Sequence, residues 1–314
     1  MKLSLVVPCY NEAENVALFY QLVEDTFKES DFDYEYIFVN DGSKDATYKN
    51  LKKLAEDHLD ANINVINFSR NFGKEAAMYA GMKESVGQYT VIIDADLQQD
   101  PAYVLRMMQI LDEDENMDSV AAFQEQRREG AILRKFKSMF YHMINNISEV
   151  EFVDGASDFR LLRREMVDAI LSLPENNRFS KGIFSWVGFQ TYYMAYDVRD
   201  RANGESSWSF WKLFKYAIEG FVSFTTMPLR IATLFGILFS MFAFLYLFVV
   251  IIQKLFFSIN IPGYATIICL ILLIGGLLLL CMGIMGEYLA RTYMETKRRP
   301  IYVQRNKIDY KDRK

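Results

Sequence analysis

Two long uncharged segments near the C-terminus place the strongest constraint on the fold of this chain. Residues 231–252 and 255–286 contain no Asp, Glu, Lys or Arg. A helix of about 20 apolar residues crosses a hydrocarbon core of about 30 Å, so each segment is long enough to span a bilayer. The alternative is a pair of buried core helices, but the rest of the chain is too small to enclose two of them. We therefore predict two transmembrane helices.

Basic residues crowd the outer ends of these segments, whereas the connection between them carries only Lys254. Because Lys and Arg favour the cytoplasmic side, we predict a multi-pass protein of the inner (cytoplasmic) cell membrane with both chain ends in the cytoplasm. Residues 1–8 are too short to form a signal peptide. The chain as a whole is acidic, with a net charge of −5, and its basic residues crowd beside the two apolar segments. The basic flanks therefore indicate an anionic lipid surface, and not nucleic acid, as their partner. These cations are Lys212, Lys215, Arg230, Arg291, Lys297, Arg298, Arg299, Arg305 and Lys307.

Strand and helix patterns alternate along residues 1–125, which predicts an α/β domain with a parallel sheet. The first strand is not followed by the glycine-rich turn of a Rossmann dinucleotide site, and a Walker lysine motif is absent. The sheet must therefore hold a nucleotide by side chains and a metal. We predict strands at 3–8, 34–39, 63–68 and 89–93, and helices at 13–28, 46–59 and 74–84.

The predicted strand at 89–93 runs into Asp94, Asp96 and Gln98. Ligands bind at the carboxyl ends of strands in open α/β sheets, so these side chains would offer hard oxygen ligands there. A divalent metal with a phosphorylated substrate is the expected occupant. The structural alternative is a solvated pair of aspartates that caps the next helix.

Four motifs occur in order along the first part of the chain: Pro8-Cys9-Tyr10-Asn11-Glu12, Asn40-Asp41-Gly42-Ser43, Arg70-Asn71-Phe72-Gly73-Lys74 and Asp94-Ala95-Asp96-Leu97-Gln98. Together they resemble the family 2 glycosyltransferases of the GT-A (nucleotide-diphospho-sugar transferase) fold. Residues 155–162, 177–182 and 204–208 with Arg201, followed by two spans, are similar to the polyprenyl-phosphate glycosyltransferases, which include bactoprenol glucosyltransferases and dolichol-phosphate mannose synthase.

The resemblance implies a binding site for a UDP-sugar. A carboxylate accepts the imide hydrogen of uracil, and an aromatic ring stacks on the base. The structural alternatives are a helix start at Glu12, a turn at Asp41 and an exposed first helical turn at Lys74. The implied nucleotide-sugar residues are Pro8, Tyr10, Glu12, Asp41, Lys74, Asp94, Ala95 and Asp96.

The resemblance also implies that Asp94, Asp96 and Gln98 bind Mg²⁺ or Mn²⁺, and that Asp96 and Asp158 are catalytic. Asp158 would face the acceptor as a general base or as a positioning group. A phosphate acceptor has a second pKa of about 6 and is already mostly ionised, which favours positioning. In the structural alternative, Asp158 has no catalytic role and caps a helix at 163–171.

Two segments outside the sheet pattern are typical of membrane contact. Residues 131–148 form an amphipathic pattern with cations at its start, and residues 206–228 mix aromatic and basic side chains. The alternatives are an amphipathic helix packed on the sheet and solvated loop charges. The candidate lipid-phosphate ligands are Arg127, Arg134, Arg199, Arg201 and Ser206.

We therefore predict an inverting glycosyltransferase that moves one sugar, glucose or N-acetylglucosamine, from a UDP-sugar to undecaprenyl (polyprenyl) phosphate at the cytoplasmic leaflet. The product would serve cell-envelope glycan modification, and the enzyme would be a homo-oligomer, a tetramer. The domains are a catalytic GT-A domain (1–205), a juxtamembrane helix (206–228), two spans (229–290) and a basic tail (291–314).

Two alternatives stay open. A processive polysaccharide synthase shares the fold, but it needs more spans and a Gln-x-x-Arg-Trp motif that this chain lacks. A non-catalytic membrane adaptor would retain the fold as a binding module, without needing Asp94, Asp96 and Asp158.

Overall fold

The computed structural model describes residues 1–123, 153, 155–173, 175–176, 178–197, 225–256 and 263–313. They belong to two compact units, one made of Met1–Lys215 with Arg299–Lys314 and the other of Tyr216–Arg298. The amphipathic segment at 131–148 and residues 206–224 lie outside the described residues, as do the five candidate lipid-phosphate ligands. The domain boundaries given above stay predictions.

One mixed sheet organises the first unit, with strand order β7-β5-β6-β4-β1-β2-β3-β8. Strands β1 to β4 run parallel, as predicted, whereas β6 is antiparallel to β4 and β5, and β8 is antiparallel to β3. The strands are β1 (Leu3–Cys9), β2 (Tyr34–Asn40), β3 (Ile63–Phe68), β4 (Tyr89–Ile92), β5 (Ser119–Phe123), β6 (Ala156–Arg163), β7 (Thr191–Ala195) and β8 (Gln304–Ile308).

The helices of this unit lie close to their predicted positions. The first helix begins three residues later than predicted, at Val16, because the preceding residues form a turn in which the Asn15 amide donates to the Glu12 carbonyl. The helices are α1 (Val16–Phe27), α2 (Thr47–Asp57), α3 (Lys74–Glu84), α4 (Ala102–Glu113), α5 (Arg164–Ser172) and α6 (Ser180–Trp186).

The core fixes α3 against the centre of the sheet. Leu5, Val6 and Val7 of β1 are fully buried, as expected for a parallel strand covered on both faces. A Cβ atom built on Gly81 of α3 would lie 2.2 Å from Cγ1 of Val6, so only glycine permits this close approach. The position of α3 determines where Lys74, its first residue, enters the site.

The C-terminal segment completes the sheet, which the sequence analysis did not predict. Strand β8 pairs with β3, and the Ser69 amide donates to the Val303 carbonyl at 2.9 Å. The ring of Tyr302 stacks on Phe68 with centroids 4.8 Å apart. Lys307 forms an ion pair with Glu84 at 2.6 Å. The predicted basic tail therefore contains an edge strand of the first unit.

The second unit contains two long helices, α7 (Met227–Phe256) and α8 (Tyr264–Thr296). Both are long and apolar enough to cross a membrane, and none of their most apolar stretches is buried within the protein. The second predicted segment was misplaced. Leu255 belongs to α7, and α8 starts after Pro262-Gly263, where proline disfavours a continuous helix. Helix α8 also continues beyond Gly286 to Thr296, and Glu287 and Arg291 form an ion pair at 3.4 Å, four positions apart, in this part of the helix.

Candidate active site

The carboxyl ends of three parallel strands bring the predicted motifs to one edge of the sheet. Strand β1 lies between β2 and β4, with Cys9 beside Asn40 and Val6 beside Ile92. The loops that follow these strands carry Tyr10, Asp41 and Asp94. The alternating sequence pattern predicted this arrangement, because parallel strands end at a common edge.

Asp94 is held from two sides. The Lys74 Nζ lies 2.8 Å from its Oδ1 and 2.9 Å from its Oδ2. The Gln99 side chain accepts a hydrogen bond from the Asp94 amide at 2.9 Å and donates one to Oδ2 at 3.2 Å. Asp94 therefore has a fixed orientation at the end of β4, and Gln99 is a supporting residue that the sequence analysis missed.

Lys74 connects Asp94 to Asp158 on β6, since its Nζ also lies 3.2 Å from the Asp158 Oδ2. Burial lowers the pKa of Lys74, but the carboxylates of Asp94 and Asp158 together raise it by more. The pKa of Lys74 is therefore above its ordinary value. The ammonium group is therefore charged at neutral pH. The structure thus brings together three of the predicted site residues, Lys74, Asp94 and Asp158. The first and the last of them are 84 positions apart in the sequence.

Asp158 is an ionised carboxylate in a largely buried position. Burial raises its pKa, but Lys74, Lys181 and Arg160 lower it to about 2. Its Oδ2 contacts Lys74, whereas its Oδ1 is buried and has no hydrogen-bond partner among the residues that the structure describes. A buried oxygen without a partner is costly, so this atom is a candidate for contact with a ligand.

Asp96 and Gln98 lie in a strained turn directly after Asp94. The Gln98 amide donates to the Asp96 Oδ1 at 3.2 Å. Leu97 between them has φ of +64°, which is rare for a branched residue and tends to occur at functional sites. Within the described ranges, no group of three or more His, Cys, Asp and Glu side chains is placed to hold a metal by itself.

Asp41 binds the loop that leads into α3. Its carboxylate accepts hydrogen bonds from the amides of Phe72 at 2.6 Å and Gly73 at 2.9 Å. Burial raises the pKa of Asp41, although these two hydrogen bonds oppose the effect. Gly42, with φ of +61°, allows the close approach, because a Cβ there would lie 2.2 Å from the Arg70 carbonyl carbon. Asp41 therefore fixes the conformation of the loop before Lys74. The sequence analysis predicted a contact with uridine for Asp41 but not this structural role.

The loop after β1 presents Tyr10 with 43% of its surface exposed, whereas Pro8 is half-buried. Glu12 supports the loop, since its amide donates to the Thr47 Oγ1 at 2.8 Å and its Oε2 accepts from Asn15 at 2.6 Å. An exposed ring beside the strand ends is available for stacking. The contacts of Glu12 match the structural alternative of a helix start, and its predicted contact with the nucleotide stays a prediction.

Three charged residues around Asp158 were not predicted as site residues: Glu75, Arg160 and Lys181. Arg160 lies two positions after Asp158 on β6, and this spacing on a strand indicates a shared face. An acidic residue in the first turn of a helix, such as Glu75, is too common to carry a signal. Lys181 lies in a motif used for the resemblance, but its approach to Asp158 depends on the packing of α6.

The chain belongs to glycosyl transferase family 2, because its residues 4–171 match the model of that family. It is 42% identical over 301 residues to the putative glycosyltransferase CsbB of Bacillus subtilis (strain 168), covering 96% of this chain and 90% of the relative. It is 39% identical to the prophage bactoprenol glucosyl transferase homolog of Escherichia coli (strain K12), covering 96% and 98% of the two chains.

A third relative, the bactoprenol glucosyl transferase of Shigella phage SfV, is 40% identical and covers 98% of this chain and 99% of its own. Among solved structures, glucosyl-3-phosphoglycerate synthase from Mycobacterium tuberculosis matches 69% of this chain and 76% of its own with a TM-score of 0.45 and 18% identity. The predicted family is confirmed by the family match. The GT-A-like mixed α/β fold is confirmed together with it.

Proposed function

We propose that this protein transfers a single sugar from a nucleotide-diphosphate sugar, a UDP-sugar, to undecaprenyl phosphate. The family supports glycosyl transfer, and relatives that cover nearly the whole chain carry the name bactoprenol glucosyl transferase. The observation that carries the proposal is the pair of ion pairs that Lys74 makes with Asp94 and Asp158, which joins the end of β4 to the start of β6. In this proposal Asp94 lies on the donor side of Lys74 and Asp158 on the acceptor side.

The donor side fits a divalent cation. Asp94 and Asp96 offer carboxylates and Gln98 offers an amide oxygen, and Mg²⁺ commonly takes one or two protein carboxylates together with water and substrate phosphates. The two protein carboxylates are therefore sufficient without a third acidic ligand. Bound Mg²⁺ or Mn²⁺ would neutralise negative charge on the departing nucleoside diphosphate. In this proposal Tyr10 stacks on the base, and Pro8, Glu12, Asp41 and Ala95 complete the nucleotide site.

On the acceptor side, the low pKa of Asp158 favours a positioning role for this residue over the removal of a proton. A general base works best when its pKa is near the working pH, and the pKa of Asp158 is about 2. The phosphate of the lipid is already mostly ionised at neutral pH, so the reaction needs little help from a base. We infer that Asp158 orients Lys74, whose ammonium group would offset the negative charge of the acceptor phosphate. Attack by the phosphate on the anomeric carbon would invert its configuration.

The two apolar helices and the relatives' names support membrane association. We propose a multi-pass arrangement in the inner membrane with the catalytic unit in the cytoplasm. The lipid-phosphate contacts of Arg127, Arg134, Arg199, Arg201 and Ser206 are part of this proposal, as is assembly into a homo-oligomer, a tetramer.

Purified full-length protein, incubated with undecaprenyl phosphate, Mg²⁺ or Mn²⁺ and a panel of radiolabelled nucleotide sugars, tests the proposal. We expect lipid-soluble label from UDP-glucose or UDP-N-acetylglucosamine, with one sugar per lipid. A growing polymer would instead identify a processive synthase. Nucleotide-sugar binding without transfer would identify an adaptor. No label from any donor, beside an active control enzyme, would overturn the proposed function.

A further inference from the structure

Helix α6 is attached to α3 by one carboxylate. Glu75, the second residue of α3, accepts a hydrogen bond from the Ser180 amide at 3.0 Å and another from the Ser180 hydroxyl. Ser180 is buried, with 4% of its surface exposed, and it is the first residue of α6. A buried amide and hydroxyl both need acceptors, so Glu75 satisfies two groups that α6 itself leaves without partners.

Two arginines attach the same helix to other elements. The Arg160 guanidinium of β6 lies 3.8 Å from the ring centre of Phe184 in α6. Arg178, just before α6, donates to the carbonyls of Leu173 at 2.8 Å and Ile170 at 3.2 Å. Its guanidinium also lies 4.6 Å from the ring centre of Tyr79 in α3. Helix α6 is thus packed between α3, α5 and β6.

The contact made by Glu75 lies directly beside the Asp94–Lys74–Asp158 ion pairs. Glu75 follows Lys74 directly, and its negative charge acts on Lys74 and Asp158. Lys181, directly after Ser180, is close enough to Asp158 that its positive charge lowers the pKa of that carboxyl. One carboxylate therefore connects the helix that supplies Lys74 to the helix that supplies Lys181.

We propose that Glu75 is a positioning residue that holds the start of α6, and with it Lys181, against the Lys74–Asp158 ion pair. The inference rests on the proposed function, since Asp158 and Lys74 line the acceptor side. Glu75 makes no contact with substrate in this scheme. It acts by fixing the distance between two helices, and displacing a reacting group by about 1 Å can cost about 100-fold in rate.

The test compares three variants of the full-length protein in detergent. Glu75→Ala removes Oε2, the one oxygen that accepts both hydrogen bonds. Glu75→Gln removes the charge but keeps a carbonyl oxygen that can accept from both the Ser180 amide and the Ser180 hydroxyl. Glu113→Ala, at an exposed carboxylate of α4, is the matched control. The measurements are kcat and KM for transfer to undecaprenyl phosphate, and amide hydrogen exchange at 180–186 by mass spectrometry.

We expect Glu75→Ala to lower kcat about 10- to 100-fold, with little change in KM for the nucleotide sugar and faster exchange at 180–186. Glu75→Gln should restore most of kcat and slow exchange, and Glu113→Ala should resemble the wild type. Wild-type kcat in Glu75→Ala would overturn the inference. So would an equal loss in Glu75→Gln, since charge and not hydrogen bonding would then matter. If the wild type itself transfers no sugar, the proposed function fails, and unchanged exchange in Glu75→Ala would overturn the positioning role separately.

Discussion

Lys74 joins the two halves of the candidate site through its ion pairs with Asp94 and Asp158. Replacement by Met keeps most of the side-chain volume but leaves Asp94 and Asp158 without their common cation. The pKa of Asp158 should rise, and the proposed acceptor phosphate should meet a carboxylate that has lost the largest of its compensating positive charges. We expect kcat to fall about 100-fold, the loss typical when one stabilising group is removed. Lys83→Ala, on an exposed position of the same helix, should keep wild-type kcat, and equal effects of both changes would refute the role of Lys74.

Asp96 offers a separate test of the proposed metal site. Asp96→Asn keeps the oxygen that accepts the Gln98 amide but removes the charge that would hold a cation. We expect kcat to fall about 100-fold or more, with an unchanged melting temperature. Chelation of divalent ions should abolish transfer by the wild type, and added Mg²⁺ or Mn²⁺ should restore it. Asp57→Asn, at an exposed position in α2, is the control. Full wild-type activity after exhaustive chelation would argue against the metal.

Glu75 also makes a testable contribution to the pH dependence of stability. Burial, with a smaller effect of Asp158, raises its pKa from the ordinary 4.5 to about 7. The folded protein then holds this proton more tightly than the unfolded chain, so the free energy of unfolding falls as the pH rises from about 4.5 to about 7. Glu75→Gln cannot titrate and should flatten this part of the curve. Melting temperatures between about pH 4 and about pH 8 test it, with Glu113→Gln as control. Parallel curves for all three proteins would contradict the prediction.

Among the structural elements, β8 makes the least obvious contribution. Tyr302, just before β8, stacks on Phe68 at the end of β3, close to the loop that Asp41 holds. Tyr302→Ala should lower the free energy of unfolding by about 1 kcal/mol, the usual contribution of an aromatic pair. Val303→Ala is the matched control, because the Val303 side chain is 46% exposed and its carbonyl bond to Ser69 is retained. Thermal melting of the full-length variants provides the comparison, and equal stabilities would show that the stacking contributes nothing.

The elements that the sequence predicted well share one physical property. Strands β1 to β4 are apolar because both faces are buried, so each leaves a clear signal in the sequence. Strand β8 lies at an exposed edge and has the polar sequence Gln-Arg-Asn-Lys-Ile, so it leaves none. Contacts between residues far apart in the sequence likewise leave no pattern in it. The hydrogen bond from Ser180 to Glu75, for example, spans 105 positions. The predicted site residues thus included Lys74, Asp94 and Asp158 but not Glu75, which holds α6 beside them.

For the molecule as a whole, the pairing of β8 has a topological consequence. Met1–Lys215 and Arg299–Lys314 belong to the same compact unit, although both long apolar helices lie between them in the sequence. A chain that leaves this unit, crosses a membrane and returns to the same sheet must cross an even number of times. Two crossings satisfy this condition, and one does not. Because β8 pairs with β3, the first unit and the segment after α8 lie on the same side of any membrane that the two helices cross.

Cysteine labelling in intact cells can measure the orientation that the distribution of Lys and Arg predicts. Ser258→Cys places a thiol in the connection between the helices, and Asp57→Cys places one at an exposed position of the catalytic unit. A membrane-impermeant thiol reagent should label the first in intact cells and the second only after lysis, since charged reagents do not cross the hydrocarbon core. The unsubstituted chain gives the background from its own three cysteines. The reverse pattern would place the catalytic unit outside the cell. Labelling of both sites in intact cells would mean that the two helices do not form a spanning hairpin, and the return of β8 to the sheet would then have no bearing on membrane topology.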